Sequence, residues 1–206
     1  MAINKYTQDP DTKLMLEFQN GDELAFRKLF YKYKNLLINL AIKYVGNKNI
    51  AEELTQEVFL KVYKAKITYK PKAKFITWIY RIAINTFINE LKKYENKVIH
   101  FKIWEVHPND PESVTVQIKD ENFVKQDLQV EYKELLKEVT KLLQKLPERQ
   151  RIAFILRRFE SFSYAEISEV LKCSEKAVKS LLNRSKKLVN EHFEVVKQHS
   201  LKEEKI

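Results

Sequence analysis

One stretch of the chain, residues 75–93, combines a strongly apolar background with side chains that could bind nucleic acid. It reads FITWIYRIAINTFINELKK. Drawn as a helix, it carries one stripe at three- and four-residue spacing that could bind nucleic acid, formed by Trp78, Arg81, Asn85, Asn89 and Lys92. Aromatic rings stack on bases, amides hydrogen-bond base edges, and cations neutralise phosphates. The stripe therefore predicts a nucleic-acid face, and the alternative is the ordinary wetted face of a core helix.

The charge distribution around this helix also favours a polyanionic partner. The whole chain carries a net charge of +10. Residues 66–97 hold eight lysines and arginines against two acidic residues, and residues 98–131 hold three against seven. Residues 146–190 are basic again, with ten against five. Two basic modules therefore flank an acidic connector.

Composition predicts an all-α protein, and the length allows one large domain or two small ones. The 206 residues are 44% hydrophobic and include only two glycines and five prolines, which is typical of mostly helical globular chains. A single cysteine, Cys173, excludes an internal disulfide framework and fits a reducing compartment. The N-terminus has no apolar signal core, and no apolar run is long enough to span a membrane. We therefore expect a cytoplasmic protein without membrane insertion.

Helical patterns place the first domain at about residues 12–97. A long amphipathic helix is predicted from Asp22 to Val45 and ends at Gly46, and a shorter one from about Ile50 to Ala65. Pro71 then breaks the helical pattern before residues 75–93. Residues 98–127 lose helical periodicity and are predicted to be a flexible linker, in which Val114, Val116 and Ile118 could form a short strand.

The second predicted domain, residues 128–199, shows the pattern of a helix-turn-helix. A first helix is predicted to open at Leu146-Pro147-Glu148. Ser163 to Glu166 match a capping box that starts a second helix ending near Leu171, and a three-residue break leads into a third helix. Val178, Leu181, Leu182, Ser185, Leu188 and Val189 are predicted to face inward. The outward face carries cations and amides suited to phosphates and base edges: Lys176, Lys179, Ser180, Asn183, Arg184 and Lys187. The alternative is a generic three-helix bundle with a solvated basic face.

Five segments, in this order and spacing, resemble the extracytoplasmic-function sigma factors of RNA polymerase. They are GDELAF at 21–26, AEELTQEVF at 51–59, the helix at 75–93, LPERQ at 146–150 and VKSLLNR at 178–184. The resemblance implies that the first domain is sigma region two, a helical bundle, and that the second is region four, a helix-turn-helix. It also implies three partners: core RNA polymerase, promoter DNA and an anti-sigma factor.

The resemblance further implies a role for each candidate residue. Glu53, Gln56 and Glu57 would dock on the polymerase clamp, although the residues alone fit a solvated acidic face. Tyr69, Lys70, Lys72 and Lys74 would form a loop that, with Asn85, receives a flipped base of the minus-ten element. Trp78 would stack at the melting fork, and the outward face of the last helix would read the minus-thirty-five element. Lys176-Ala177 stands where Gly-Thr is frequent in the family, and Leu181 replaces a frequent arginine.

Two other functions are compatible with parts of the sequence. A stand-alone helix-turn-helix regulator would use only the second domain and would need neither the Trp78–Lys92 stripe nor the Gln56 and Glu57 face. An enzyme is disfavoured because the four histidines show no zinc-site spacing and the chain has no glycine-rich phosphate loop. We therefore predict no catalytic activity, no metal and no cofactor.

Overall fold

The computed structural model describes residues 5–101 and 139–203. The chain divides into two compact units, Met1–Val114 and Thr115–Ile206. The described residues form helices and turns without a strand, which confirms the predicted all-α class. The boundary between the units lies inside the predicted linker, and the predicted strand at Val114–Ile118 falls outside the described residues.

The described residues of the first unit, 5–101, form four α-helices. They are α1 (Pro10–Gln19), α2 (Glu23–Val45), α3 (Lys48–Lys64) and α4 (Phe75–Phe101). Short 3₁₀ turns occupy Lys5–Gln8 and Ala65–Thr68. Asp22 caps α2 by accepting hydrogen bonds from the Leu24 and Ala25 amides, and Gly46 ends it with a φ of 76°.

The core of the first unit forms where the apolar faces of these helices meet. α2 packs against α1 and α3, and α3 packs against α4. The inner face of α2 is formed by five buried residues, Leu29, Tyr33, Leu37, Leu40 and Tyr44, whereas Phe26 and Phe30 are half-buried. The core is rich in aromatic rings, and Tyr33 and Phe75 are both almost fully buried, with ring centroids 5.3 Å apart.

Helix α1 was not predicted from the sequence. Its start nevertheless carries a recognised signal, since Asp9 accepts a hydrogen bond from the Thr12 amide and Pro10 occupies the first helical position. The helix spans only ten residues, so its apolar periodicity is short. Helix α4 also extends to Phe101, four residues beyond the predicted end of the first domain at 97.

The second unit contains the predicted helix-turn-helix. Residues 139–145 are helical and precede α5 (Glu148–Arg158), α6 (Tyr164–Leu171) and α7 (Glu175–Glu203). The capping box is confirmed, with Ser163 and Glu166 exchanging both hydrogen bonds. The Lys172 backbone is left-handed with a φ of 50° at the end of α6, and the Ser174 hydroxyl accepts from the Ala177 amide at the start of α7.

The predicted inner face of the last helix is only partly buried. Val178 and Ser185 are fully buried as expected, Leu181 and Val189 are half-buried, and Leu188 is 43% exposed. Cys173 is half-buried at the turn before this helix.

Candidate nucleic-acid interface

The polar stripe of residues 75–93 forms an open edge of α4. Phe75, Ile79, Ala83 and Phe87 lie on the other side of the helix and are completely buried in the core of the first unit. Trp78 and Arg81 are partly exposed, and Asn85, Asn89 and Lys92 are exposed. The amides of Asn85 and Asn89 have no hydrogen-bond partner among the described residues. The edge therefore offers free donors and acceptors on a rigidly packed helix.

The Trp78 ring is held at the beginning of this edge by two other aromatic rings. Its centroid lies 4.8 Å from that of Tyr69 in an edge-to-face arrangement and 5.5 Å from that of Phe75. Its amide donates to the carbonyl of Lys74 at 3.1 Å, so the residue belongs to the first turn of α4. An aromatic side chain fixed in this way and partly exposed presents a defined surface for stacking.

The segment before α4, residues 69–74, alternates buried and exposed residues. Lys70, Lys72 and Lys74 are exposed, whereas Tyr69 and Ala73 are buried at 4% and 6% exposure. Burial raises the pKa of the Tyr69 hydroxyl, so this side chain stays neutral at physiological pH. The segment that leads directly into α4 thus exposes three lysines, while the buried Tyr69 ring packs against Trp78.

A second predicted surface lies on α3. Glu53 and Gln56 are exposed, and the Glu57 carboxylate is partly exposed and lies 3.7 Å from the Lys61 ammonium group. Leu60, one turn after Gln56, is 53% exposed. Sequence analysis did not select Leu60, although an apolar residue on the polar side of an amphipathic helix is a usable signal.

The predicted outer face of the helix-turn-helix is fully accessible in the second unit. All six of its residues are exposed: Lys176, Lys179, Ser180, Asn183, Arg184 and Lys187. Only Lys187 pairs with an acidic residue in the described part of the chain, with 3.8 Å between its ammonium group and the Glu191 carboxylate. This face can therefore neutralise phosphates and donate hydrogen bonds to base edges.

Hydrogen bonds between helices fix the position of this face. Buried Ser185 of α7 lies 3.1 Å from the carbonyl of Gln150 in α5. The Arg149 guanidinium donates to the carbonyl of Leu171 at the end of α6 at 2.9 Å. The Arg157 guanidinium donates to the carbonyl of Phe162 at 2.9 Å, and its central carbon lies 5.2 Å from the centre of the Tyr164 ring. Helices α5 and α6 thus hold α7 with its basic side outward.

In the described ranges 5–101 and 139–203, every helix is too short or too polar to cross a bilayer.

Both units of the chain match known protein families. Residues 29–97 match the family model "Sigma-70 region 2", and residues 136–189 match "Sigma-70, region 4". The chain is 30% identical over 194 residues to the RNA polymerase sigma-H factor of Pseudomonas aeruginosa, covering 89% of this chain and 94% of that protein. It is 29% identical to the ECF RNA polymerase sigma-E factor of Escherichia coli K12 over 189 residues, covering 87% and 92% of the two chains.

Solved structures show the same fold. CnrH, in complex with the cytosolic domain of CnrY, matches with a TM-score of 0.65 at 19% identity, covering 91% of this chain and 99% of that one. The sigma factor RpoE of Bartonella quintana, in complex with the anti-sigma factor NepR, matches with a TM-score of 0.63 at 20% identity, covering 82% and 97%.

Proposed function

This chain belongs to the extracytoplasmic-function sigma factors of the sigma-70 family, and we propose that its two helical units divide promoter recognition between them. A sigma factor directs RNA polymerase to start transcription at specific promoters. The observation that carries the proposed division is the exposed edge of α4 beside a loop of exposed lysines, in a unit separate from the helix-turn-helix.

In this proposal, the α4 edge binds the melted minus-ten element. Lys70, Lys72 and Lys74 neutralise the phosphates of the separated strand. Asn85 lies nearly two helical turns after Trp78 on the same edge and reads the exposed edge of an unpaired base. Asn89, Arg81 and Lys92 extend this contact along the strand.

The buried position of Tyr69 changes the role proposed for it. With only 4% of its surface exposed, its ring supports Trp78 from below instead of touching the strand. Trp78 then stacks at the junction between paired and unpaired DNA. Opening base pairs costs a few kcal/mol, so contacts made only with unpaired bases favour the melted state.

Glu53, Gln56 and Glu57 on α3 are proposed to dock on core RNA polymerase. Leu60 belongs to the same surface, because it lies one turn after Gln56 and is half exposed. An acidic face with an exposed apolar residue suits a protein partner better than DNA, since the carboxylates would repel phosphates.

The outer face of α7 is proposed to read the minus-thirty-five element. Lys179, Asn183 and Arg184 can reach base edges in the major groove, and the flanking lysines bind phosphates. Leu181 stands where an arginine is frequent in the family, and it is half-buried. We therefore expect fewer phosphate contacts and a minus-thirty-five preference particular to this chain.

An anti-sigma factor that covers both units is proposed as the regulator. The structures similar in fold include a sigma factor bound to an anti-sigma factor, which supports the same mode of control here.

Since its partners are RNA polymerase and promoter DNA, the chain is proposed to act in the cytoplasm. It is further proposed to supply recognition only, while the polymerase performs catalysis. A stand-alone regulator would leave the whole region-two match unexplained.

Photocrosslinking in the assembled promoter complex tests this division. Promoters are first selected from random DNA with core polymerase and this chain, and a crosslinkable nucleotide is then placed in each element. Minus-ten non-template nucleotides should crosslink within residues 69–92, and minus-thirty-five nucleotides within residues 176–187. Crosslinks from both elements to a single unit would refute the division.

A further inference from the structure

Helix α1 contacts the beginning of the loop that precedes α4. The side-chain amide nitrogen of Gln19, the last residue of α1, donates to backbone carbonyls of the loop and of the turn before it. The distances are 2.9 Å to Lys66, 3.3 Å to Ile67 and 3.2 Å to Tyr69. Backbone carbonyls at the end of the Ala65–Thr68 turn have no hydrogen-bond partner within the turn itself. The half-buried side-chain amide of Gln19 donates to them instead.

The residue that caps α1 also contacts the far end of the same loop. One carboxylate oxygen of Asp9 accepts from the Thr12 amide at 3.0 Å and the Thr12 hydroxyl at 2.8 Å. The same oxygen accepts from the amide of Phe75, the first residue of α4, at 3.3 Å. A carboxylate is favourable at the positive end of a helix, and here it serves the N-termini of α1 and α4 together.

Packing beneath the loop reinforces these two contacts. The Lys66 ammonium group lies 4.3 Å from the centre of the Phe18 ring of α1 and 3.1 Å from the Glu23 carboxylate. Phe18 is fully buried. The backbone of the loop is thus fixed at its start by Gln19 and at its end by Asp9, while its three lysines remain exposed.

We propose that α1 is a positioning element for capture of the separated strand, acting through Gln19 and Asp9. The inference rests on the proposed role of the loop and the α4 edge in minus-ten recognition. Helix α1 lies before residues 29–97, the part that matches region two. By fixing the loop before DNA arrives, it reduces the conformational entropy lost on binding and holds the lysines and Trp78 in one arrangement.

Gln19→Ala tests the proposal, and Glu17→Ala is the matched control because it truncates an exposed side chain of the same helix. Each variant is assembled with core RNA polymerase. The quantity compared is the affinity for a selected promoter divided by the affinity for the same promoter with an altered minus-ten element. A smaller folded fraction lowers both affinities by the same factor, so this ratio does not respond to a loss of stability alone.

We expect the ratio to fall roughly three- to tenfold in Gln19→Ala and to keep its wild-type value in Glu17→Ala. Asp9→Asn should also lower the ratio, because asparagine still caps α1 but removes the negative charge at the start of α4. Affinity for core polymerase should stay at the wild-type value in all three variants.

An unchanged ratio in both Gln19→Ala and Asp9→Asn would overturn the proposal, even if total transcription fell. An equal fall in Glu17→Ala would overturn it as well, since the effect would then belong to α1 in general. If the wild-type protein does not discriminate between the two promoters, the proposed function itself fails, and this inference fails with it.

Discussion

At the scale of single residues, Asn85 is the side chain that we propose reads an unpaired base. It is exposed on a helix whose opposite side is buried in the core, and its amide has no partner among the described residues. Asparagine is a poorer helix former than alanine, so Asn85→Ala should slightly stabilise α4. The same change should reduce minus-ten melting on the order of tenfold, measured by permanganate reactivity of promoter thymines.

Asn35→Ala is the control for this substitution, because Asn35 is an exposed asparagine of α2, away from the α4 edge. It should leave melting unchanged, and both variants should bind core polymerase like the wild type. Unchanged melting in Asn85→Ala would contradict the role proposed for this amide.

Arg184 is the side chain of the second unit that we propose reads a base of the minus-thirty-five element. It is exposed on α7 between Ser180 and Lys187 on the same face. Arg184→Ala should weaken binding to the correct minus-thirty-five sequence by about 1–3 kcal/mol and should relax discrimination there. Competition binding of the assembled polymerase measures this change. Arg158→Ala, which removes one exposed positive charge at the end of α5, outside this face, is the control. An equal loss on scrambled upstream DNA would show that Arg184 contacts phosphate only.

At the scale of helices and turns, the connection between α5 and α6 contains a strained position. Ser161 has a φ of 58°, a left-handed conformation that disfavours residues with a Cβ. Ser161→Gly should therefore raise the unfolding free energy of the second unit by roughly 0.5–1 kcal/mol. Ser163→Ala, two residues later, should lower it by about 0.5–2 kcal/mol because the capping box is lost.

Hydrogen exchange of peptides from α5 to α7 measures both changes. Protection should rise in Ser161→Gly and fall in Ser163→Ala. A fall in protection in both variants would mean that the left-handed turn is not a source of strain.

The junction of α1 and α2 should give the first unit a measurable dependence on pH. Buried Tyr33 donates a hydrogen bond to the Asp11 carboxylate at 2.6 Å. Burial, and to a smaller extent this hydrogen bond, raises the pKa of the tyrosine above its ordinary value of 10.0. Above that pH the unfolded chain loses the proton while the folded chain keeps it. The stabilisation from this group is therefore complete below about pH 10 and declines as the pH rises further.

Tyr33→Phe isolates this effect. The variant should be less stable than the wild type by roughly 1–3 kcal/mol near neutral pH, because Asp11 loses a hydrogen bond. The difference should shrink between about pH 9 and about pH 11, as followed by denaturant unfolding. A difference that stays constant over this range would contradict the raised pKa.

Local signals in the sequence predicted most helices, but they could not predict contacts between distant segments. The start of α6 followed from Ser163 and Glu166, and the end of α2 followed from Gly46, because these residues act within one turn. The burial of Tyr69 was not predictable, since it depends on α1 packing against a loop about 50 residues later. The stripe on α4 was predicted because its periodicity is long and regular.

At the scale of the whole molecule, the two units carry different surfaces for the same task. The charge of +10 provides a general attraction to DNA, which falls as salt rises. Specific recognition is assigned to two separate faces, the α4 edge and the outer face of α7. Since minus-ten contacts require unpaired bases, the chain alone should bind duplex promoters weakly, and the polymerase should be needed for full recognition.

In-vitro transcription with core RNA polymerase is the most direct test of this account. With a selected promoter as template, the wild-type chain should yield a product that starts at one position. Core polymerase alone, or a template with scrambled minus-ten and minus-thirty-five elements, should yield no such product. Failure to obtain a promoter-specific transcript with core polymerase and this chain together would contradict its assignment as a sigma factor.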